Sequence, residues 1–166
     1  MIYLATDHAG FELKEKVKEF LKRESYEVRD MGAYQLDPND DYPDFISKAA
    51  EEVSKDPQSK AIIFGSSGEG EAMVANKYSG VRAAVFYTPC VPAHNVDISG
   101  RVSDDPFEMI RLTREHNDAN VLSLGAKILK EEDALKAVKL WLKTPFTKEE
   151  RHLRRIEKIK ELEKKI

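Results

Sequence analysis

The sequence predicts an α/β fold, a mostly parallel five-stranded sheet with helices on both faces, because short apolar runs alternate with amphipathic helical stretches along the chain. Residues 2–5 form the first run, and residues 11–21 follow as a helix with Leu13, Val17, Phe20 and Leu21 on one face. The alternation continues with a strand at 27–29, a helix at 45–53, a strand at 61–64 and a helix at 71–78. It closes with a strand at 81–86, a helix at 107–114, a strand at 121–124 and a helix at 134–142. Right-handed crossovers place the loops that follow the strands along one edge of such a sheet, where ligands collect. Asp7-His8, the turn at 65–70 and the region after Tyr87 share that edge. The expected architecture is a three-layer α/β/α sandwich with a Rossmann-like sheet and a C-terminal helical arm.

A chain of 166 residues suits one domain, 1–166, with a core large enough to need no staples. Its net charge of −3 favours neither nucleic acid nor an anionic membrane, so any anion site is local. The single cysteine, Cys90, excludes an internal disulfide and fits a reducing compartment, with cytoplasm the expected location. No run approaches the roughly 18 apolar residues of a membrane span, and the N-terminus lacks a signal-peptide pattern.

Two segments break the rhythm. Residues 88–106, with three prolines and a glycine, keep neither helical nor strand periodicity, and Val91, Val96, Ile98 and Val102 are expected to anchor them as an ordered excursion. After Pro145, Thr147 and Glu150 fit a capping box for a last helix over about 147–165. Its narrow stripe of Leu153, Ile156, Ile159 and Leu162 suits an arm docked on another subunit, or else a helix folded on its own domain.

The richest chemistry lies in Phe64-Gly65-Ser66-Ser67-Gly68-Glu69-Gly70-Glu71, where a buried run ends and a glycine-rich turn opens onto a helix. Such a turn lets backbone N–H groups crowd a ligand at the positive end of the helix dipole. The glycine order is not that of a dinucleotide fingerprint and no Gly-Lys-Ser/Thr follows, so NAD and ATP are disfavoured as cofactors. An oxyanion cradle remains, with a hydroxyl at Ser67 and a carboxylate at Glu71. Glu71 is then either a proton acceptor or only a favourable charge at a helix start. Asp7 could cap the first helix or face the pocket, and Tyr42, before Pro43, could pack or donate its hydroxyl. His116, at a helix end before the last strand, is either a dipole partner or a general acid-base, with Asn117 beside it. Arg151 and Arg155, four apart in a cluster with His152 and Arg154, suit a phosphate or pair with Glu149, Glu150 and Glu157. No histidine and cysteine spacing points to a metal.

Seven ordered motifs resemble the type B ribose-5-phosphate isomerases, the family that also includes galactose-6-phosphate isomerase subunits. They are Asp7-His8-Ala9-Gly10, Asp41-Tyr42-Pro43, the run from Gly65 to Glu71, Ala75-Asn76-Lys77, Gly80-Val81-Arg82-Ala83, Arg114-Glu115-His116-Asn117 and Arg151-His152-Leu153-Arg154-Arg155. The resemblance implies an aldose–ketose isomerase of a sugar phosphate that uses no metal or other cofactor, in a homodimer or homotetramer with active sites between subunits. Many members carry a cysteine base where this chain has Gly65, and the chain resembles instead the subgroup with a glutamate after the loop. On that resemblance Glu71 moves the proton between C2 and C1, while the N–H groups of residues 67–70, hence Ser67, Gly68, Glu69 and Gly70, hold the cis-enediolate. His116, aided by Asp7 or Ser67, opens the furanose ring, and Asn117 and Asp7 hold hydroxyls. His8, Arg151 and Arg155, with Tyr42, form the phosphate side.

Two departures accompany the resemblance. Lys127 stands where the family usually has a phosphate-contacting arginine, keeping charge but losing the bidentate fork. Residues 88–106 are longer than the family pattern by about eighteen residues and lead into the helix of His116, with His94 expected as a surface residue within them. D-ribose 5-phosphate and D-ribulose 5-phosphate are the expected pair. A six-carbon sugar phosphate of the galactose or allose 6-phosphate type, a non-catalytic sugar-phosphate binder and, more remotely, a nucleotide-binding module are the rivals.

Overall fold

A computed structural model describes residues 1–165, and Ile166, the last residue of the expected domain, lies outside them. Strands β1 (Ile2–Thr6), β2 (Val28–Asp30), β3 (Lys60–Gly65), β4 (Ala83–Phe86) and β5 (Val121–Gly125) make one sheet in the order β2-β1-β3-β5-β4. Every neighbouring pair is parallel, with Ile2 in register with Val28 and Lys60, and Gly65 with Gly125. Among the described residues six α-helices connect and flank them: α1 (Phe11–Arg23), α2 (Pro43–Lys55), α3 (Glu69–Ala75), α4 (Glu108–Glu115), α5 (Glu131–Lys143) and α6 (Glu150–Glu163).

Successive strand residues point to opposite faces, so the sheet divides its apolar side chains between two cores. Ile2, Leu4, Ile62, Phe64, Leu122 and Leu124 meet α1 and α5 through Leu13, Val17, Leu21, Val138 and Trp141. On the other face Tyr3, Ala5, Ala61, Ile63 and Val121 meet α2 and α3 through Ile46, Ala50, Val53 and Ala75. Burial on both faces explains why the three central strands read as continuous apolar runs. β1 connects to β2 on one side while β3 pairs with it on the other. The loops after β1 and β3 therefore diverge across a topological switch point, where such sheets open a crevice.

Several boundaries move. Helix α3 starts at Glu69, two residues before expectation, and stops at Ala75, where Asn76 caps it and a turn carries Tyr78 back to Ala75. Strand β4 begins only at Ala83, because the Arg82 N–H is taken by the Asn120 side chain at 2.7 Å. The capping box at the start of α6 does not form. Its N-cap is Glu149, and the Thr147 hydroxyl donates instead to the Glu115 carbonyl at 2.8 Å, pinning the α5–α6 turn to the end of α4.

The stripe of α6 is divided. His152 and Ile156 are buried against the chain's own domain and Glu163 accepts from Ser79 and Gly80, whereas Leu153, Ile159 and Leu162 are exposed. Residues 88–106 hold no helix or strand, as expected, but their anchors are not the apolar ones. Ile98 and Val102 are 83% and 77% exposed and Val91 is also outside. The segment is held by ions: the Arg101 guanidinium reaches Glu108 and Glu115, both at 2.9 Å, and so spans the length of α4. A backbone bond from Cys90 to Pro106 closes its neck at 2.8 Å.

Candidate active site

The ends of β1 and β3 are tied by the Thr6 hydroxyl, which donates to the Phe64 carbonyl at 2.9 Å. Gly10 permits this closeness, since a Cβ there would meet Phe64 Cβ and Thr6 Oγ1 at 2.5 Å. Asp7 then caps the short 3₁₀ turn His8–Gly10 by accepting from Ala9 N–H at 2.9 Å. Its capping role is real, and its side chain nevertheless lies close enough to Glu71 for its charge to act there.

The glycine loop turns its carbonyls into the scaffold. Gly65 and Ser66 accept from the Ala126 and Lys127 N–H groups at 2.8 and 3.1 Å, and Gly68 accepts from the Ser123 hydroxyl at 2.6 Å. Gly68 holds φ +83°, a left-handed conformation that a side chain resists. The first N–H groups of α3, like those of any helix start, are left without intrahelical partners. The Ser67 hydroxyl accepts from the Glu69 N–H, and the Glu69 carboxylate accepts from the Tyr87 hydroxyl at 2.7 Å. Tyr42 leans over the same loop, with its hydroxyl 2.8 Å from where a Cβ on Gly70 would stand.

Glu71 is 5% exposed, and a Cβ on residue 65 would fall on its carboxylate. Gly65 is thus the notch that receives this side chain. Burial pushes the Glu71 carboxyl above its usual pKa and the nearby charge of Asp7 adds to this, while a backbone hydrogen bond partly opposes it. A desolvated carboxylate is a stronger base than a solvated one. The sequence alone could not separate this role from a helix-start charge, since it did not show the notch.

His8 and Lys127 line one cavity of about 550 Å3 at the same edge, with Leu13, Leu36, Pro38 and Leu129 among its walls. Asp40, a residue the sequence reading passed over beside Asp41-Tyr42-Pro43, bonds both the backbone N–H and Nδ1 of His8. Among the described residues, Asp7, His8 and Asp40 are the one group whose donor atoms, within 4.8 Å of one another, could share a cation. His8 and Asp40 are hydrogen-bonded to each other at 2.7 Å and one Asp7 oxygen is taken by the Ala9 N–H, so these groups are engaged within the fold rather than arranged as an open coordination shell.

The remaining candidates lie at the opposite edge. His116 is the C-cap of α4, and Asn117 and Asp118 give their carbonyls to the Arg82 side chain just before β4. The length of β5, about 3.3 Å per residue, therefore lies between His116 and Gly125, on the order of 15 Å. The His116 ring stacks on His152, centroids 4.3 Å apart and planes 15° apart, and His152 is 2% exposed. Burial and the neighbouring His116 and Arg151 hold the His152 pKa down. Arg151 pairs with Glu149 at 2.8 Å, as the blander alternative had it, whereas Arg155 is exposed and has no ion pair among the described residues. One chain assembles Asp7, His8, Tyr42, Ser67, Gly68, Glu69, Gly70, Glu71 and Lys127 around one edge and His116, Asn117, Arg151 and Arg155 around the other.

Comparison with known proteins matches residues 2–96 and 101–159 to the model of the Ribose/Galactose Isomerase family, so that only 97–100 of the excursion fall outside it and the expected excess of about eighteen residues over the family pattern is not there. The ribose-5-phosphate isomerase B of Mycobacterium tuberculosis is 37% identical over 163 residues, covering 98% of this chain and 90% of that protein. Among solved structures, the ribose-5-phosphate isomerase B of Mycoplasma genitalium with bound ribulose-5-phosphate superposes with a TM-score of 0.85 at 34% identity, over 99% of this chain and 97% of that one. The enzyme of Clostridium thermocellum gives 0.83 at 38% identity, with the same coverage. No described helix is long and apolar enough to cross a membrane. By its motifs, its sheet and the extent of these matches, the chain belongs to the Ribose/Galactose Isomerase family.

Proposed function

We propose that the protein interconverts D-ribose 5-phosphate and D-ribulose 5-phosphate, in a homo-oligomer whose active site takes one sheet edge from each of two chains. The observation that carries this is the Glu71 carboxylate, buried in the notch left by Gly65 at the mouth of the glycine loop. His116 of one chain passes a proton between the anomeric hydroxyl and the ring oxygen, breaking the C1–O4 bond to give the open aldehyde. Glu71 of the other chain takes the C2 proton, and the electron pair left behind forms the C1–C2 double bond with its charge on O1. The N–H groups of residues 67–70 stabilise that enediolate. A proton crosses from O2 to O1 and Glu71 returns its own to C1, completing the ketose. Asp7 and Asn117 hold hydroxyls, and His8 and Lys127, with Arg151 and Arg155 of the second chain, hold the phosphate. A free sugar phosphate and one exposed thiol, Cys90, fit the cytoplasm.

The test is Glu71→Gln with substrate in deuterated water. Exchange at C2 is expected to stop and turnover to fall by about 10²-fold to 10⁴-fold, while inorganic phosphate still binds. Near-normal exchange removes Glu71 from the base role. A six-carbon phosphate remains the second reading, because the excursion at 88–106 starts directly after Tyr87, the partner of Glu69 in the loop. Side-by-side kcat/KM on five- and six-carbon phosphates decides between them.

A further inference from the structure

Asp40 has no part in the chemistry assigned above, yet it holds His8 at two points. One oxygen, Oδ1, accepts from the His8 backbone N–H at 2.9 Å and lies 2.7 Å from Nδ1 of the ring. The Asp40 side chain is 11% exposed, and its other oxygen is buried without a partner among the described residues. An ionised carboxylate only accepts, so Nδ1 must carry the proton in this contact. The Nε2 atom is then the one left for a ligand in the cavity that His8 lines. Other charges face this ring too. Asp7 approaches Nδ1 at 3.9 Å, Glu12 and Lys16 line the cavity from α1, and Lys127 and Glu131 line it from the turn after β5 and the start of α5.

We propose that Asp40 is a positioning residue: it fixes the orientation and tautomer of His8 and keeps the ring protonated, so that Nε2–H donates to the substrate phosphate. This rests on the reading of His8 as a phosphate contact. The hydrogen bond to Asp40 raises the His8 pKa above the ordinary histidine value, and the charges of Asp7 and Asp40 reinforce it against partial burial. A charged donor binds a phosphate oxygen more strongly than a neutral one. The double hold also latches the loop before α2 to the turn after β1, so the phosphate side and the Tyr42 side of the crevice move as one body.

Three measurements test it. In the unaltered protein, nitrogen chemical shifts of His8 above its pKa are expected to show the Nδ1–H tautomer, against the Nε2–H form that free imidazole side chains prefer, and Nε2–H overturns the proposal. Asp40→Asn keeps the shape and removes the charge. The pH at which KM begins to rise is expected to drop, with KM up roughly tenfold at pH 8, little change in kcat, and restoration by Asp40→Glu. An unchanged KM profile, or an equal loss of kcat and kcat/KM at every pH, assigns Asp40 a merely structural role. In a His8→Gln background the Asp40→Asn effect on KM is expected to vanish. If His8→Gln leaves KM and inorganic phosphate binding unchanged, the phosphate reading of His8 fails, and with it the purpose assigned to Asp40, even where the tautomer is as expected.

Discussion

At the C-terminal end of the strands the candidate groups are locked in place, with Glu71 sealed in the Gly65 notch and the loop carbonyls tied to β5 and to the turn after it. At the N-terminal end His116 rests on a stack with His152, and the arginines of α6 extend from a helix whose Leu153, Ile159 and Leu162 are uncovered. The first edge is a finished half-site. The second is a set of groups presented outward on a helix that still exposes apolar surface. A strand's length divides them, so one sugar phosphate cannot touch both within one chain, and the proposed chemistry becomes a property of two copies facing each other.

Mixing two inactive variants is the most severe way to break that contrast. Glu71→Gln and His116→Asn are each expected to lose about 10²-fold to 10⁴-fold in kcat. Co-refolded at equal amounts, they are expected to recover about one quarter of wild-type activity, because half the dimers are mixed and each mixed dimer rebuilds one intact site. Mixed samples that stay as inactive as their components would place both groups on one chain's site, against the geometry of β5.

A gentler intervention addresses the finished edge alone. Gly65→Ala puts a methyl where the Glu71 carboxylate lies, and the side chain must leave the notch. A base displaced by about 1 Å costs on the order of 10²-fold in kcat, while binding of inorganic phosphate at His8 and Lys127 is expected to persist. Retained activity in Gly65→Ala would show that the notch does not position the base.

The two edges were also unequally legible in the sequence. Strand and helix order followed from apolar period, and the glycine loop announced itself because left-handed backbone at Gly68 and the close approach of Tyr42 at Gly70 leave little choice of residue. What the sequence could not show was distance. His116 reads as a neighbour of the last strand, and only the parallel register reveals that it stands at the strand's beginning while the loop stands at the ends. Asp40 was missed because an acidic run before a proline reads as turn chemistry, and its contact with His8 spans 32 residues. The excursion was misjudged for a related reason. Apolar letters suggested apolar anchors, but a segment so short has no layer to bury them in, and Arg101 holds it through charge.

Arg101 supplies a smaller effect, at the seam between the edges. Arg101→Ala removes the clamp on Glu108 and Glu115 and is expected to lower stability by about 1 kcal/mol, with cleavage by added protease appearing first within 88–106. Activity on the five-carbon substrate is expected to stay within about threefold, since a loss of that size in stability leaves the folded state dominant. Cleavage elsewhere first would show that the apolar residues, not Arg101, hold the segment.

The smallest expected effect tests the burial of Glu71 without any substrate. Because its pKa is raised in the folded protein, the folded state binds this proton more tightly than the unfolded chain does. Stability from this group is therefore fully present below the ordinary glutamate pKa and is lost as pH climbs through the raised one. Glu71→Gln has nearly the same shape and no charge to bury, so it escapes the loss. Its melting temperature is expected to exceed wild type at pH 7, with the gap closing as both are taken toward pH 4. The same gap at both pH values would mean that the carboxylate pays no desolvation in the notch. The finished edge would then hold an ordinary surface acid, and its contrast with the outward-facing histidine edge would rest on position alone.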